Sequence, residues 1–387
     1  MNTFELDQTY VANTYARFPV EIVGGKGSLL TGSDGKEYID LGTGIAVNAF
    51  GVADEEWIAA VTAQLHKVQH TSNLFYTEPC ARLAQMLCER TQMKKVFFGN
   101  SGAEANECII KAARKYAAKK YGPERHIIIT LTNSFHGRTL ATLAATGQEH
   151  YHEDFLPLTP GFVHYDVGDL AGIEALCKTG TVAGILFEAV QGEGGVLPLP
   201  QDFVKGLASL CETYDVLLMA DEVQIGNGRS GALYGYMNFG VTPDLVSTAK
   251  GLGGGLPLGA ALLGEKAEDV FAPGDHGSTF GGNPVCCAGA VSILGRINDD
   301  LLADVRKKSD FLVSALTGAP GIKSVSGMGL MLGFEPEKPL ADVVAQCREK
   351  GVLILTAKNK VRLLPALNIP QELLAAAAQT ILTVCAK

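Results

Sequence analysis

Residues 244–260 read DLVSTAKGLGGGLPLGA, a short apolar run closed by Lys250 and followed by a loop of glycines. The run has the length of a buried strand, and glycines bound it on one side. Lys250 follows Val246, Ser247, Thr248 and Ala249 and precedes Gly251, Gly253, Gly254, Gly255 and Gly259. A lysine in that setting has two readings. It snorkels out of a half-buried strand end, or it lines a cavity, where burial disfavours the ammonium and frees the amine to attack a carbonyl. The segment by itself leaves both open.

Strand-sized apolar runs recur from Lys94 onward, in KKVFFG, RHIIIT, VAGILFE, VLLMADE and GAALLG. Helical stretches such as SGAEANECIIKAARKYAAKKY and QDFVKGLASLCETY separate them. Buried strands alternating with helices predict an α/β fold: βαβ units and a mostly parallel sheet covered on both faces. Upstream, GSLLTGSDGKEYIDLG places an Asp-Gly turn between two short alternating runs and reads as a hairpin. After GGNP at 281–284 the pattern changes. A long helical stretch to about Leu316, short strands in VSGMGLMLGFE and VRLLPAL, and a closing helix from about Gln371 predict a smaller α+β domain. The expected division is 1–45 with the small domain, 46–284 as the large domain and 285–387 as the C-terminal small domain.

Composition narrows the function. The chain has 387 residues, 47% hydrophobic and 19% charged, enough apolar material for two domains. A formal charge of −9 with no basic patch predicts no nucleic-acid partner. MNTFELDQTY lacks the basic start and apolar run of a signal peptide, and nowhere do eighteen apolar residues run together. The expectation is a cytoplasmic protein with no membrane partner. Nine scattered cysteines without CxxC spacing predict neither a zinc site nor a disulfide framework. His66 and His70 stand one helical turn apart in HKVQH, without the HExxH glutamate or a third ligand, so no metal is expected.

Ligands of doubly wound sheets sit beyond the carboxyl ends of the strands, and four groups fall there. In GNSGAEAN, Ser101, Gly102 and Ala103 enter a helix just after a strand. They form either a plain N-cap, with Glu104 in the first turn, or an anion cradle. VLLMADEVQ ends a buried strand in Asp221 and Glu222, a pair that suits magnesium in a nucleotide enzyme; no GxxxxGK[ST] accompanies it. Gly226, Gly228 and Gly231 satisfy GxGxxG, yet no helix opens on them, and ALYGYMNFG after them reads as a loop. SFHGRT carries an aromatic, a histidine and Arg138, and EAVQGEGG places Glu188 and Glu193 around a turn. An arginine and a carboxylate at neighbouring strand ends form a structural ion pair or select a charged substrate. Jointly, a lysine, an aspartate able to face a protonated ring nitrogen, an anion cradle and an aromatic are the parts of a pyridoxal phosphate site.

NSGAEANE, SFHGRT, QGEGG, DEVQ, AKGLGGG and GSTFGGNP, in this order, resemble the class III (subgroup II) pyridoxal phosphate aminotransferases. NTYARFPVEIVGGKG, GIAVNAFG and SNLFYTEP narrow the resemblance to the acetylornithine branch of that family. It spans nearly the whole chain. The resemblance implies the fold type I architecture, with pyridoxal 5'-phosphate held in the large domain. It implies that Lys250 bonds the cofactor, Asp221 faces its ring nitrogen, Phe135 and Val223 flank the ring, and Gln224 reaches the ring hydroxyl. Ser101, Gly102 and Ala103 become the phosphate cup, and Thr279, in GSTF, the residue supplied by the second subunit of a homodimer with shared active sites. Ser278, Arg138, Glu193 and Arg362 become substrate residues, with Glu193 covering Arg362 for a donor and uncovering it for a dicarboxylic acceptor. The implied reaction moves the terminal amine of N2-acetyl-L-ornithine to 2-oxoglutarate. Ornithine, succinylornithine, succinyldiaminopimelate and 4-aminobutyrate are the rival donors. The chain departs from the family at 51–55, where GVADE replaces Gly-His-x-His/Asn-Pro, and at Ala189, Val190, Ile225 and Ala366. No departure removes a catalytic group.

Overall fold

A computed structural model describes residues 1–386. The N-terminal part contributes β1 (Ile22–Lys26), β2 (Leu29–Gly32) and β3 (Glu37–Asp40). The hairpin expected from GSLLTGSDGKEYIDLG is β2–β3, its turn closed by Asp34 Oδ1 accepting from Lys36 N and by Gly35 at φ +79°.

The central sheet is built from β4 (Lys95–Gly99), β5 (Ile127–Leu131), β6 (Phe162–Tyr165) and β7 (Val182–Glu188). After a short ladder of β8 (Val190–Gln191) with β9 (Leu197–Pro198) it is completed by β10 (Leu217–Asp221), β11 (Leu245–Thr248) and β12 (Gly259–Leu263). Its order is β4-β12-β11-β10-β7-β5-β6, parallel throughout except for β12, which runs against both neighbours. Pleating sends alternate residues to opposite faces. Leu217, Met219 and Leu245 meet helix Gly102–Tyr121 through Ile109 and Ala113, whereas Leu218, Ala220 and Val246 pack on the other side with Phe203 and Leu207 of helix Gln201–Tyr214. Helices on both faces leave the seven residues of β7 wholly buried, which is why its sequence is unbrokenly apolar up to Glu188.

The C-terminal part holds β13 (Ile322–Met328), β14 (Met331–Pro336), β15 (Val352–Leu353), β16 (Leu355–Ala357) and β17 (Lys360–Leu363). Strand β15 pairs in parallel with β3, so the two ends of the chain share one sheet, while β13-β14-β17-β16 form another.

Two details differ from the sequence expectations. The helical stretch after GGNP is two helices, Pro284–Arg296 and Asp299–Leu316. Asn298 interrupts it because its side chain accepts from Leu301 N and starts the second helix, with Asp299 and Asp300 in the first turn. The segment ALYGYMNFG is not a loop: Gly235–Phe239 is a 3-10 turn with Tyr234 and Tyr236 buried against its flanks.

Candidate active site

A cavity of about 480 Å³ opens where β4, β7, β10 and β11 end, lined by Ser101, Glu188, Asp221 and Lys250. Lys250 lies two residues beyond β11 with a backbone φ of +44°, a left-handed conformation disfavoured for a side chain with a Cβ. Burial lowers its amine pKa, and Arg362 adds to that, against the opposing charges of Glu193, Asp221 and Glu188. A nucleophilic amine needs that balance.

Asp221, the last residue of β10, stands in register with Glu188 and Ser247 on the neighbouring strands. Its Oδ2 accepts from Asn106 Nδ2 at 2.8 Å and from His136 Nδ1 at 2.8 Å, and Oδ1 accepts from Val223 N at 3.0 Å. The Ser247 hydroxyl donates to Asn106 Oδ1 at 2.6 Å. Three donors fix the orientation of this carboxylate. Glu188 is a second buried carboxyl: burial pushes it well up, helped by the Asp221 charge and opposed by the N–H groups of Phe135 and Gly192.

Glu222 turns away from this cluster. Its carboxyl accepts from Gly235 N at 2.6 Å and Tyr236 N at 2.8 Å, and burial pushes it up to about 8. The Asp-Glu pair is therefore divided between the cavity and a structural turn. No group of metal-ligating side chains occurs among the described residues. Gly226, Gly228 and Gly231 lie in tight turns, with Gly228 at φ +90° and Gly231 at φ +82°, and open no helix.

Ser101 caps helix Gly102–Tyr121, its hydroxyl accepting from Glu104 N at 3.2 Å. A Cβ on Gly102 would lie 2.6 Å from Val223, and one on Gly259 would lie 2.2 Å from the Ser101 carbonyl, so both glycines permit the close approach that forms the cup. Phe135 lines the wall, and Arg138 is exposed at the mouth, 4.7 Å over the Tyr151 ring and 5.6 Å over the Phe135 ring.

Arg362 comes from β17, on a different sheet. Its Nη1 donates to Glu193 Oε1 and, at 2.9 Å, to Gln224 Oε1, while Gln224 Nε2 donates to Glu193 at 3.2 Å. Burial pushes the Glu193 carboxyl up, but the charge and hydrogen bond of Arg362 outweigh it and hold the group below the ordinary range. Arg362 is 3% exposed and its Nε has no partner among the described residues. Gln224 lines the cavity, so this triad abuts it. Ser278 Oγ accepts from Asn100 Nδ2 at 3.1 Å, beside the cup, whereas Thr279 is exposed and outside this lining.

Asn106, Ser247 and Tyr151 escaped the sequence reading, and His136 was noticed there without a role. A polar residue on the buried side of a helix or strand was the available signal for Asn106 and Ser247. Tyr151 carries none, because its approach to Arg138 is purely tertiary.

The cavity fits pyridoxal 5'-phosphate. Its cup is closed to a Cβ at Gly102, His136 Nε2 is buried without a partner among the described residues, and Asp221 lines the cavity with a lysine of lowered pKa. Fold and cavity define the class: a fold type I enzyme in which pyridoxal 5'-phosphate is the cofactor. The model of the family Aminotransferase class-III matches residues 10–385. The acetylornithine aminotransferase of Haemophilus ducreyi is 50% identical over 95% of this chain and 94% of its own. The succinylornithine transaminase of Citrobacter koseri is 44% identical over 92% and 90%. The ornithine aminotransferase of Toxoplasma gondii, described with partial occupancy of PLP at its active site, superposes with a TM-score of 0.94, is 32% identical, and is matched over 99% of this chain and 93% of its own. The chain belongs to the class-III aminotransferases.

Proposed function

We propose that the protein transfers the terminal amine of N2-acetyl-L-ornithine to 2-oxoglutarate, yielding N-acetyl-L-glutamate 5-semialdehyde and L-glutamate in arginine biosynthesis. The observation that carries this reading is the Arg362–Glu193–Gln224 triad beside the Lys250 cavity. A paired arginine is masked toward a donor with one carboxylate, and an arginine freed by its glutamate receives the second carboxylate of a dicarboxylic acceptor. Fifty per cent identity to an acetylornithine aminotransferase supports the donor.

The chemistry supplied by bound pyridoxal 5'-phosphate is an electron sink that makes the proton on the donor's amine-bearing carbon labile. Lys250 Nζ would hold the cofactor, and its buried amine would serve as the general base and acid that moves this proton. Asp221, oriented by Asn106, His136 and the Val223 N–H, would face the ring nitrogen of the bound cofactor. The N–H groups at Ser101, Gly102 and Ala103, at the start of a helix that borders the cavity, would receive the phosphate. Phe135, Val223 and Gln224 line the cavity, where the first two would flank the ring and Gln224 would meet its hydroxyl. Arg138, exposed at the mouth, holds a substrate carboxylate, and Ser278, hydrogen-bonded to Asn100 beside the cup, contributes to substrate binding.

The protein works as a cytoplasmic homodimer in this reading, with Thr279 of the partner subunit completing each phosphate cup. Exposed Leu74, Phe75, Tyr76 and Phe280, at 88%, 69%, 105% and 59%, support a covered face. Residues 46–284 form the cofactor-binding domain, and 1–45 and 285–387 form the smaller one. No described helix is long and apolar enough to cross a membrane.

The test is the visible spectrum of the holoenzyme on adding N2-acetyl-L-ornithine without an oxo acid. Bleaching of the yellow band, restored by 2-oxoglutarate, is expected. Bleaching by N2-succinyl-L-ornithine with none by the acetyl compound would move the donor to that of the Citrobacter koseri relative.

A further inference from the structure

Thr43, Gly44, Ile45 and Ala46 all have positive φ, at 47°, 63°, 65° and 63°. Four consecutive left-handed residues, two of them β-branched, form only where surrounding contacts over-determine the chain. Those contacts are on both sides. Asp40 Oδ1 accepts from Gly42 N at 2.8 Å and Thr43 N at 2.9 Å, fixing the entry. The Thr43 hydroxyl, 1% exposed, donates to the Leu364 carbonyl at 2.6 Å, and Leu364 N donates to the Leu41 carbonyl at 2.7 Å.

Leu364 is two residues beyond Arg362. A Cβ on Gly42 would lie 3.1 Å from Leu355, the residue that stands opposite Arg362 across β16–β17. At its other end the turn approaches Gly251, the residue after the lysine. The Ala46 carbonyl would be 3.3 Å from a Cβ on Gly251, and Val47 lines the Lys250 cavity. One strained turn therefore touches Gly251, next to Lys250, and Leu364, the residue just beyond the strand that carries Arg362.

We propose that the left-handed turn Thr43–Ala46 is a spacer that sets Arg362 relative to Lys250, with Thr43 as the positioning residue acting through the Leu364 carbonyl. This rests on the reading that Arg362 receives the second carboxylate of the acceptor. The donor is bound while Arg362 is paired with Glu193, whose side chain absorbs a small displacement. The acceptor depends on the guanidinium standing at one place.

The experiment uses holoenzyme and measures the two half-reactions separately. Thr43→Val keeps the side-chain shape and removes the hydroxyl; Thr43→Ser keeps the hydroxyl. In Thr43→Val the KM for 2-oxoglutarate rises about fivefold to tenfold with kcat within about twofold, and the donor KM stays within about twofold. Thr43→Ser returns the acceptor KM to the wild-type value. No rise, or an equal rise for both substrates, overturns the positioning role. Where Thr43→Val yields no folded protein, Thr43→Ala is read by the same two constants. Arg362→Met separates the two ideas: an unchanged acceptor KM there removes the premise, whereas a large rise there beside an unaltered Thr43→Val removes only the spacer.

Discussion

Lys250 and Arg362 illustrate opposite ways in which a residue becomes functional. Lys250 is placed by its own neighbourhood, a buried strand ending in glycines, and burial lowers its pKa. Lys250→Ala should therefore reduce amine transfer by about a thousandfold or more while leaving the melting temperature near the wild-type value. Transfer within tenfold of wild type would remove Lys250 from the chemistry. Arg362 owes its setting to Glu193 and Gln224, which are distant in sequence. Glu193→Gln leaves the arginine uncovered, so the KM for 2-oxoglutarate should fall several-fold and the preference for the monocarboxylic donor should weaken by a similar factor. Unchanged constants in both half-reactions would argue that the pair is only structural.

At the scale of elements, the decisive approach is that of helix Gly102–Tyr121 to the strand ends. Gly102→Ala would press a methyl against Val223, displacing the cup or the ring wall. Cofactor affinity should fall about tenfold or more with the fold retained, measured as the dissociation constant for pyridoxal 5'-phosphate; an unaltered constant would show that Val223 yields freely. Glu222 tests the turn Gly235–Phe239. Its folded pKa, about 8, is raised above that of the unfolded chain, so its contribution is complete below the ordinary glutamate range and is lost as pH rises toward 8. The wild-type melting temperature should fall across that window relative to Glu222→Gln, which has no proton to lose. Parallel curves for the two proteins would contradict the shift. The strands were legible in the sequence because burial on both faces requires continuous apolar runs. The break at Ile297–Asn298 was obscured because apolar periodicity continues through it, and only the cap at Asn298 marks it.

At the scale of the molecule, Leu74, Phe75, Tyr76 and Phe280 are exposed and lie on the face that the proposed dimer would cover. The protein should sediment as a dimer, and Phe75→Asp combined with Tyr76→Asp should shift it toward monomer and lower activity in step, since Thr279 would then be missing from the neighbouring cup. A fully active monomer would end the shared-site reading. The N-terminal strands and β15 form one sheet, so removing residues 1–40 takes away the partner of β15 and the Asp40 carboxylate that fixes Thr43, and should disturb Arg362 through Leu364.

The sequence by itself determined the α/β alternation, the glycine-bounded lysine, the aspartate at a strand end and the helix start that follows β4. Each is local, and short-range sterics and burial specify it within a few residues. Only the tertiary structure decided that Glu222 serves a turn, that Asn106 and His136 hold Asp221, that Gln224 joins Glu193 on Arg362, and that the left-handed turn at Thr43 touches both Leu364 and Gly251. Those facts depend on which strands lie side by side, and that order follows from the packing of the whole sheet and both of its helical layers rather than from any one segment.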